Sequence, residues 1–486
     1  MSLTTAFNTA QSSLLTTATQ ISTSARNVAG AGDPAASRKI TVTTTTADGS
    51  ARVVNITRAS DNLLYERTLG ATSASAGQQA ILLGLGQLKL TVGDTTDTTS
   101  PAAKLGVLDN ALNTYANAPD NTTLATAVVT AAKDAAIGLN AATATVQQLR
   151  GTADSKIADA VSQVNDLLAQ FQAQNTAVVL GSENGTDVTD ALDKRDAILS
   201  QIAEKMGVTT VTRAHNDMVV YTDSGATLFE TTARAVSFKS TPVFDAATTG
   251  NSVFVDGVSV SGPSAAMPLQ SGEIAGLARV RDSLTVTYQN QLDEMARGLV
   301  ATFAESDQTG GSAPTLPGLF TSGSGTVPGT LTPGLAGTIA VNSAFDPTLG
   351  GSPALLRDGG ANGAAYVANT TSAAAYGVRL QATVTTLEAA RSFDPAGQLS
   401  SGTDLATFAA GSAGYAFVDI NPTYRPNPET DAIDVTFNVS EGQRVYVDRI
   451  NVIGNTRTID PVIRRELMLT EGDAFNSLQI RRSTAR

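Results

Sequence analysis

The first thirty residues carry the most regular hydrophobic pattern of the chain. Apolar or small residues recur alternately four and three positions apart, which is typical of a helix that turns one narrow seam towards a partner helix. The residues between them are mostly Thr, Ser, Ala, Gln and Asn, so such a helix would be marginal alone. The pattern fits an amphipathic helix in a globular core or, as we favour, an assembly helix that is ordered in a polymer. We define its assembly seam as Leu3, Phe7, Ala10, Leu14, Ile21 and Val28.

The pattern then changes from helix to strand and back to helix. Gly and Pro residues over 30–34 end the first helix. Residues 40–57 alternate as two short strands around Asp48-Gly49, a favoured hairpin turn. Helical spacing returns from 62 to about 179, and another helix is predicted over 188–206.

Alternation returns after this helix. Strands are predicted within 208–222, at 235–238 and within 253–260, the last turning at Asp256-Gly257. The helical pattern resumes at Ser271 and continues to about residue 305. The simplest architecture is a helical rod from which a β subdomain protrudes, with the chain leaving and returning by long helices.

The remaining chain is less regular. Gly and Pro are dense over 309–363, which predicts an irregular connection, and a last helix is predicted over about 370–392. Near Gly414 the composition changes: nineteen of the last 72 residues are charged, against 57 of the first 414. The following pattern predicts three strands and two helical pieces, at 416–420, 433–439, 445–453, 460–469 and 476–482.

Charge and composition exclude several classes of function. The chain has 32 basic and 44 acidic residues, and its net charge of −12 opposes binding to nucleic acid or to anionic lipid. It has no Cys, so disulfides and thiolate metal sites are excluded. No apolar run reaches the ~20 residues of a membrane span. The N-terminus lacks the features of a cleavable secretory signal, so we expect any export to use another route.

Candidate catalytic residues are few. His215 is the only His and stands beside a predicted hairpin turn, so we expect a solvated surface role. A Ser/His/Asp triad would have to use it, and no Gly-x-Ser-x-Gly elbow accompanies it. Gly84-Leu85-Gly86 lacks the third Gly of a dinucleotide fingerprint and the Lys of a phosphate loop. We predict no enzymatic activity and no cofactor.

Three regularly spaced aspartates could in principle form a metal site. Asp190, Asp193 and Asp196 lie three apart on one predicted helix face, a spacing that could place carboxylates on a metal. Lys194 and Arg195 lie between them, and helical ion pairing is the commoner explanation. We therefore predict ion pairs and no metal site.

Several segments, in this order, resemble the flagellar hook-associated protein 1 family, the first junction protein between hook and filament. The start Met1-Ser2-Leu3 with Asn27-Val28-Ala29 looks like the start of flagellar axial proteins. Further similarity comes from Ala191 to Asp196 followed by Met206-Gly207-Val208, from Ser271 to Leu277, from Tyr288 to Asp293 and from Leu355 to Gly360. The resemblance covers residues 1 to about 412. It implies a non-enzymatic structural subunit, exported through the flagellar type III apparatus without a cleaved signal.

The same resemblance implies partners and a location. They are the hook protein, neighbouring junction and filament subunits, and the flagellar export apparatus with its chaperone, on an extracellular flagellum. Two features depart from the family pattern. The family's Gly-Tyr turn after the first helix is replaced by Gly32-Asp33-Pro34-Ala35-Ala36, and no second heptad helix follows Phe408. We therefore expect an isolated chain to be a monomer with a loosely packed N-terminus.

The end of the chain resembles a different family. Gly414 to Val418, Val439 to Ile450, Gly454 to Thr458 and Val462 to Phe475 resemble the polypeptide-transport-associated (POTRA) repeats of the outer-membrane barrel-assembly factor BamA. The segment looks like the end of one repeat and the start of the next. POTRA repeats add client strands to a sheet edge, so the resemblance implies outer-membrane assembly clients and a periplasmic setting. We interpret the chain as a chimeric or artefactual fusion; the alternative function is a periplasmic polypeptide-binding module.

The predicted fold class is mainly α, an elongated helical bundle or rod with an inserted β subdomain, plus a small α+β POTRA-like segment. The predicted domains are an assembly helix over 1–32, the first part of the rod over 33–206, the β subdomain over 207–270, the returning helix, loop and late helix over 271–412, and the POTRA-like fragment over 413–486.

Overall fold

The computed structural model describes residues 3–47, 49–92, 99–399, 401–415, 418–427 and 432–441. Its regular structure is mainly helical, with strands confined to small sheets of two or three, as the sequence predicts. The chain forms two compact units. The first contains the described residues of Met1–Gly84, Leu149–Phe244 and Thr248–Leu284, and the second those of Leu85–Gln148, Asp245–Ala247 and Thr285–Arg486.

The first unit begins with a helix and a hairpin. Helix α1 spans Leu3–Ala29, β1 spans Lys39–Thr45 and β2 spans Ala51–Arg58. The two strands pair antiparallel from Lys39↔Arg58 to Thr45↔Ala51, with a bulge at Val42/Thr43. The predicted first helix and the predicted hairpin are both confirmed.

The helical stretch predicted from 62 to about 179 is confirmed as three helices. They are α2 (Asn62–Val92), α3 (Pro101–Asn117) and α4 (Thr122–Glu183). Ser100 caps α3 because its hydroxyl accepts from the backbone N–H of Ala103 at 3.1 Å. Helix α5 follows at Thr189–Lys205, close to the predicted bounds.

Two three-stranded antiparallel sheets follow α5. The first has the order β3-β4-β5 (Val208–Thr212, Met218–Thr222, Thr227–Phe229), and the second has the order β6-β7-β8 (Val236–Phe238, Val253–Val255, Val258–Ser259). Their inward side chains share one core with α4 and α5. At its centre Phe171 and Phe229 meet edge to face, with ring centroids 5.1 Å apart.

The helix predicted from 271 to about 305 is interrupted. Helix α6 spans Glu273–Arg279, a π-helical turn spans Val280–Leu284, and α7 spans Thr285–Thr302. The wide turn carries Arg281, whose fully buried guanidinium donates to Asp154 at 2.6 Å and to the carbonyl of Asn251 at 2.7 Å. A buried Arg needs such partners, and no periodic pattern signals them.

One glycine of the Gly84-Leu85-Gly86 run in α2 serves close packing. A Cβ on Gly84 would lie 2.6 Å from the side chain of Val280, whereas Gly86 has open space around its Cα. Gly77 similarly faces the backbone of Gly272. The Gly84-Leu85-Gly86 run therefore includes a packing contact of α2, consistent with its failing the phosphate-loop pattern.

In the second unit, α10 (Val378–Glu388) and α11 (Leu405–Tyr415) each pack against both α3 and α7. The Gly/Pro-rich stretch is irregular, as predicted, but it is also anchored by buried apolar side chains. It contains only short pieces, namely β9 (Phe320–Thr321), α8 (Leu335–Thr338), β10 (Ala340–Val341) and α9 (Leu355–Asp358). Its buried anchors are Leu319, Phe320, Leu335, Ile339, Phe345, Leu356 and Tyr366.

Two late helices differ from the sequence prediction. Helix α10 begins at Val378 rather than near 370, because Asn369 bonds both backbone groups of Ala373 and Ser372 has a φ of +52° in the resulting turn. Helix α11 was not predicted. Asp404 caps it by accepting from the N–H of Thr407 at 2.8 Å.

A two-stranded hairpin ends the described chain. Strand β11 (Val418–Asn427) pairs antiparallel with β12 (Ala432–Glu441), from Val418↔Glu441 to Asn427↔Ala432. The predicted strands at 416–420 and 433–439 are thus longer, and β11 includes Pro422 and Pro426, which were predicted to be loop. Proline is tolerated because both strands of a two-stranded sheet are edges. The predictions at 445–453, 460–469 and 476–482 lie outside the described residues.

Candidate assembly surface and its ionic anchor

The assembly seam of α1 is exposed along its whole length. Ala10 is exposed, and the five larger side chains keep most of their surface accessible: Leu3 89 %, Phe7 68 %, Leu14 71 %, Ile21 64 % and Val28 76 %. No described residue buries them. Large apolar residues repeated along one helix face are uncommon on a monomer surface and mark an interaction site.

The opposite face of α1 is polar and is the face that packs. Thr16 and Thr23 are its buried residues. The hydroxyls of Ser12 and Thr16 donate to the carbonyl of Ala51 in β2, at 2.6 and 2.8 Å. Near the helix end, the Asn27 side chain exchanges two hydrogen bonds with the backbone of Lys39, at 2.9 and 2.8 Å. Hydroxyl and amide groups thus hold α1 on the hairpin.

The seam and the packed face lie on nearly opposite sides of the helix. Leu14 precedes Thr16 by two residues, and Ile21 precedes Thr23 by two. At 3.6 residues per turn, two residues correspond to ~200° around the axis. Docking through the threonines therefore turns the leucine and isoleucine away from the hairpin.

The hairpin also has an apolar outer face. Ile40, Val42 and Val54 are 40 to 59 % exposed, while the cross-strand neighbours Thr41 and Ile56 are half-buried. Side chains alternate across a strand, so Ile40 and Val42 stand on the face of β1 opposite to Thr41, away from α1. Val54 is the extra residue at the register shift, where this alternation is interrupted. The α1–hairpin layer consequently carries apolar groups on both of its faces.

Three aspartates of α5 anchor this layer. Asp190, Asp193 and Asp196 meet cations that come from three different elements: Arg26 near the end of α1, Lys39 at the start of β1 and Arg58 at the end of β2. We call this group the ionic anchor. The aspartates do form ion pairs, but the predicted pairing within the helix is wrong, because the partners come from other elements. Lys194 is exposed, and buried Arg195 donates to Asn175 and to the carbonyl of Asn216.

Lys39 is the centre of the ionic anchor. It is 7 % exposed, and its ammonium lies 2.8 Å from Asp193 and 2.9 Å from Asp190. Arg58 contacts Asp193 at 3.0 Å and Asp196 at 2.6 Å, and Ser37 donates to Asp193 at 2.6 Å. Asp193 is thus saturated by donors from both strand ends, as a buried carboxylate requires.

The same contacts shift the acid–base properties of the group. Burial disfavours the charged form of Lys39, but hydrogen bonds to Asp193 and Asp190 outweigh it and raise its pKa. Burial also opposes ionisation of Asp193, yet the donors Lys39, Ser37 and Arg58 hold its pKa below the usual range. The hydrogen bond from Arg26 lowers the pKa of Asp190. All three groups are charged at neutral pH.

The remaining predictions from the sequence concern His215, metal binding and membrane spans. His215 is exposed in the turn between β3 and β4, with a φ of +57°, which confirms its predicted surface position. Across the residues that the structure describes, no group of three or more acidic or His side chains is placed to hold a metal ion. None of the described helices is long and apolar enough to cross a membrane.

Two family models match separate parts of the chain. Residues 85–318 match the family model for the helical domain of the flagellar hook-associated protein FlgK. Residues 445–486 match the POTRA family model, described as a surface antigen variable number repeat. Both resemblances inferred from the sequence are confirmed over these stretches, and α1 lies outside them.

Two curated proteins and one solved structure are similar to parts of the chain. The BamA outer membrane protein assembly factor of Nitratidesulfovibrio vulgaris is 41 % identical over 73 residues, which are 15 % of this chain and 9 % of that protein. The BamA of Neisseria meningitidis is 38 % identical over 76 residues, 16 % of this chain and 10 % of that protein. The chain thus spans about a tenth of these curated relatives. The flagellar hook junction protein FlgK from Burkholderia pseudomallei is 21 % identical, with a TM-score of 0.42 over 53 % of this chain and 47 % of that one.

Proposed function

We propose that this protein is a structural subunit of the bacterial flagellum at the hook–filament junction and that it assembles through the α1 seam. The observation that carries this function is the exposed apolar seam on a helix whose polar face is the one that packs. The match of residues 85–318 to a hook-associated helical domain supports it. A polymerising helix needs such a seam and no reactive residue.

The two apolar faces of the α1–hairpin layer favour a repeating assembly. The seam lies on one side, and Ile40 and Val42 lie on the other. A subunit with different contact surfaces on its two sides makes head-to-tail contacts, which generate rings or helical polymers. The partners of this assembly are the hook protein and neighbouring junction and filament subunits, and the protein reaches them through the flagellar export apparatus and its chaperone.

The ionic anchor gives this surface its orientation. Because Arg26, Lys39 and Arg58 fix the end of α1 and the open end of the hairpin to α5, the hydroxyl face of α1 stays against β2. The seam is therefore presented outward before any partner arrives, which lowers the ordering cost of assembly.

Binding to isolated hook ends tests this function. Ile21→Asp places a charge in the seam, and Ser22→Asp places the same charge on the adjacent exposed residue, about a quarter turn away. We expect the wild-type chain and Ser22→Asp to cosediment with hooks and Ile21→Asp to remain in solution. If the wild-type chain does not bind, a heptad helix appended to its C-terminus supplies a partner for the seam. Failure with that helix, or equal binding by both variants, would refute the function.

We propose as a second candidate function that the C-terminal segment makes the protein a periplasmic polypeptide-binding module. The specific support is the POTRA match over residues 445–486 together with the similarity to BamA. POTRA repeats recognise extended client strands through backbone hydrogen bonds.

Client capture tests the second function. We expect the full chain to retain unfolded outer-membrane protein on a column, and a chain ending at residue 412 to lose this capacity while it still binds hook ends. Equal retention by both chains would assign the binding to the helical part and contradict the module.

A further inference from the structure

The turn between α4 and α5 contains an unusual pair of exposed residues. Asn184 and Gly185 follow directly after the end of α4, and both are exposed. Gly185 has a φ of +67°, a conformation that favours glycine, and a Cβ there would meet open space. The Asn184 side chain has no hydrogen-bond partner among the described residues, and the N–H of Gly185 makes only a 3.3 Å bond to the carbonyl of Ser182.

The chain contains one other Asn-Gly pair, and it is held differently. The Asn362 side-chain amide donates to Glu305 at 2.9 Å and to the carbonyl of Pro317 at 2.9 Å. Its backbone N–H donates to the same carboxylate at 3.0 Å, and Glu305 is fully buried. The same dipeptide thus occurs in two environments. The Asn184 side chain makes no hydrogen bond to a described residue, whereas the Asn362 side chain makes two.

We propose that Asn184 is a site of spontaneous covalent modification, namely deamidation through a succinimide. The backbone nitrogen of Gly185 attacks Cγ of Asn184, the new C–N bond closes a five-membered ring, and the side-chain nitrogen leaves as ammonia after taking up the proton lost by Gly185. Solvent water then adds to one of the two ring carbonyls and opens the ring to aspartate or isoaspartate. Glycine presents no side chain to obstruct the attack, and no oxidant or enzyme is required.

Deamidation of Asn184 would affect the ionic anchor indirectly, through the neighbouring residue Asp187. Asp187 lies two residues before the start of α5, accepts from the N–H of Thr189 at 3.0 Å and pairs with Arg26 at 2.7 Å. Deamidation adds a negative charge three residues before Asp187, and isoaspartate also adds a methylene to the backbone of this turn. The altered turn shifts Asp187 relative to Arg26, so ageing of the protein loosens the α1 end of the anchor.

Peptide mapping of the full chain tests this inference. The folded protein is incubated at mildly alkaline pH, and Asn-to-Asp conversion at each pair is followed by mass spectrometry, with isoaspartate identified by enzymatic methylation. Because release of Asn362 breaks two hydrogen bonds, one of them to a carboxylate, we expect conversion at Asn184 to be about tenfold faster or more. Equal rates, faster conversion at Asn362 or no isoaspartate at Asn184 would overturn the proposal.

Incubation in urea separates the effect of the folded structure on the conversion rates from the effect of the flanking sequence. In urea both pairs lose their surroundings, so the two conversion rates should converge to within about twofold, since the reacting dipeptide is the same. A tenfold preference for Asn184 that persists in urea would place the cause in the flanking sequence and contradict the structural argument. The Asn184→Gln variant should show no isoaspartate in this turn and unchanged conversion at Asn362.

Discussion

Replacement of Lys39 by Met probes the ionic anchor most selectively. The substitution keeps the length and much of the apolar stem of the side chain but removes the ammonium that contacts Asp190 and Asp193. Removing one partner of a buried ion pair costs about 3–5 kcal/mol. Asp193 would retain Arg58 and Ser37, and Asp190 is exposed and would retain Arg26. We therefore expect about 2–3 kcal/mol, at or below the lower end of that range.

Native-state hydrogen exchange measures this loss locally. A change of 2–3 kcal/mol corresponds to a roughly 30- to 150-fold loss of protection, expected in the amides of β1 and β2 and in the second half of α1. Amides of α7 should not change. Lys194→Met is the matched control, because Lys194 is an exposed lysine of the same helix α5. Equal protection in the two variants, or a loss spread evenly over the whole chain, would refute the anchoring role of Lys39.

Three further predictions concern pH and packing. Because the pKa values of Asp187, Asp190 and Asp193 are lowered in the folded chain, their stabilisation is present above the unfolded value of ~3.9 and is lost as the pH falls through the folded values. Exchange protection of residues 39–58 should therefore be constant from neutral pH down to about pH 4 and fall below it; a loss already at pH 6 would contradict this. Burial raises the pKa of Asp293 to about 6 in spite of hydrogen bonds from the backbone N–H groups of Gly334 and Ala336. Its effect has the opposite sign: protonation favours the folded state, so the second unit should gain about 1 kcal/mol between pH 7 and pH 5 in urea unfolding, and Asp293→Asn should lack this gain. Gly84→Ala should destabilise the first unit by about 1–3 kcal/mol because its Cβ would press on Val280, whereas Gly70→Ala on the same helix, which has open space, should stabilise it by up to about 1 kcal/mol; thermal melts that move both variants in the same direction would refute this packing role.

Local patterns predicted local structure. The heptad spacing of Leu3 to Val28 located α1, Asp48-Gly49 located the hairpin between β1 and β2, and the apolar face of Leu199, Ile202 and Met206 located α5. For the two helices, the spacing of the apolar residues matches the period of the helix. Helix α11 lacked such a signal because its composition is mostly Ala and Gly, although the cap at Asp404 was present in the sequence.

The candidate site was predictable only in part. The assembly seam was predictable because all its residues lie within one helix, α1. The ionic anchor was not predictable. Asp193 pairs with Lys39 and Arg58, which are 154 and 135 residues away in the sequence, and such contacts arise only from tertiary packing. For the same reason the acidic series on α5 was correctly expected to form ion pairs while its neighbours Lys194 and Arg195 were wrongly taken as the partners.

Cysteine labelling at the seam tests the central claim most directly. The chain has no native Cys, so Leu14→Cys and Ser22→Cys each introduce one thiol on α1, the first in the seam and the second beside it. In the free chain both positions are exposed, and both should react rapidly with a maleimide. On hook ends we predict that Cys at position 14 becomes protected by at least about tenfold while Cys at position 22 stays reactive. Undiminished labelling of position 14 on bound protein would show that the seam is not the assembly surface.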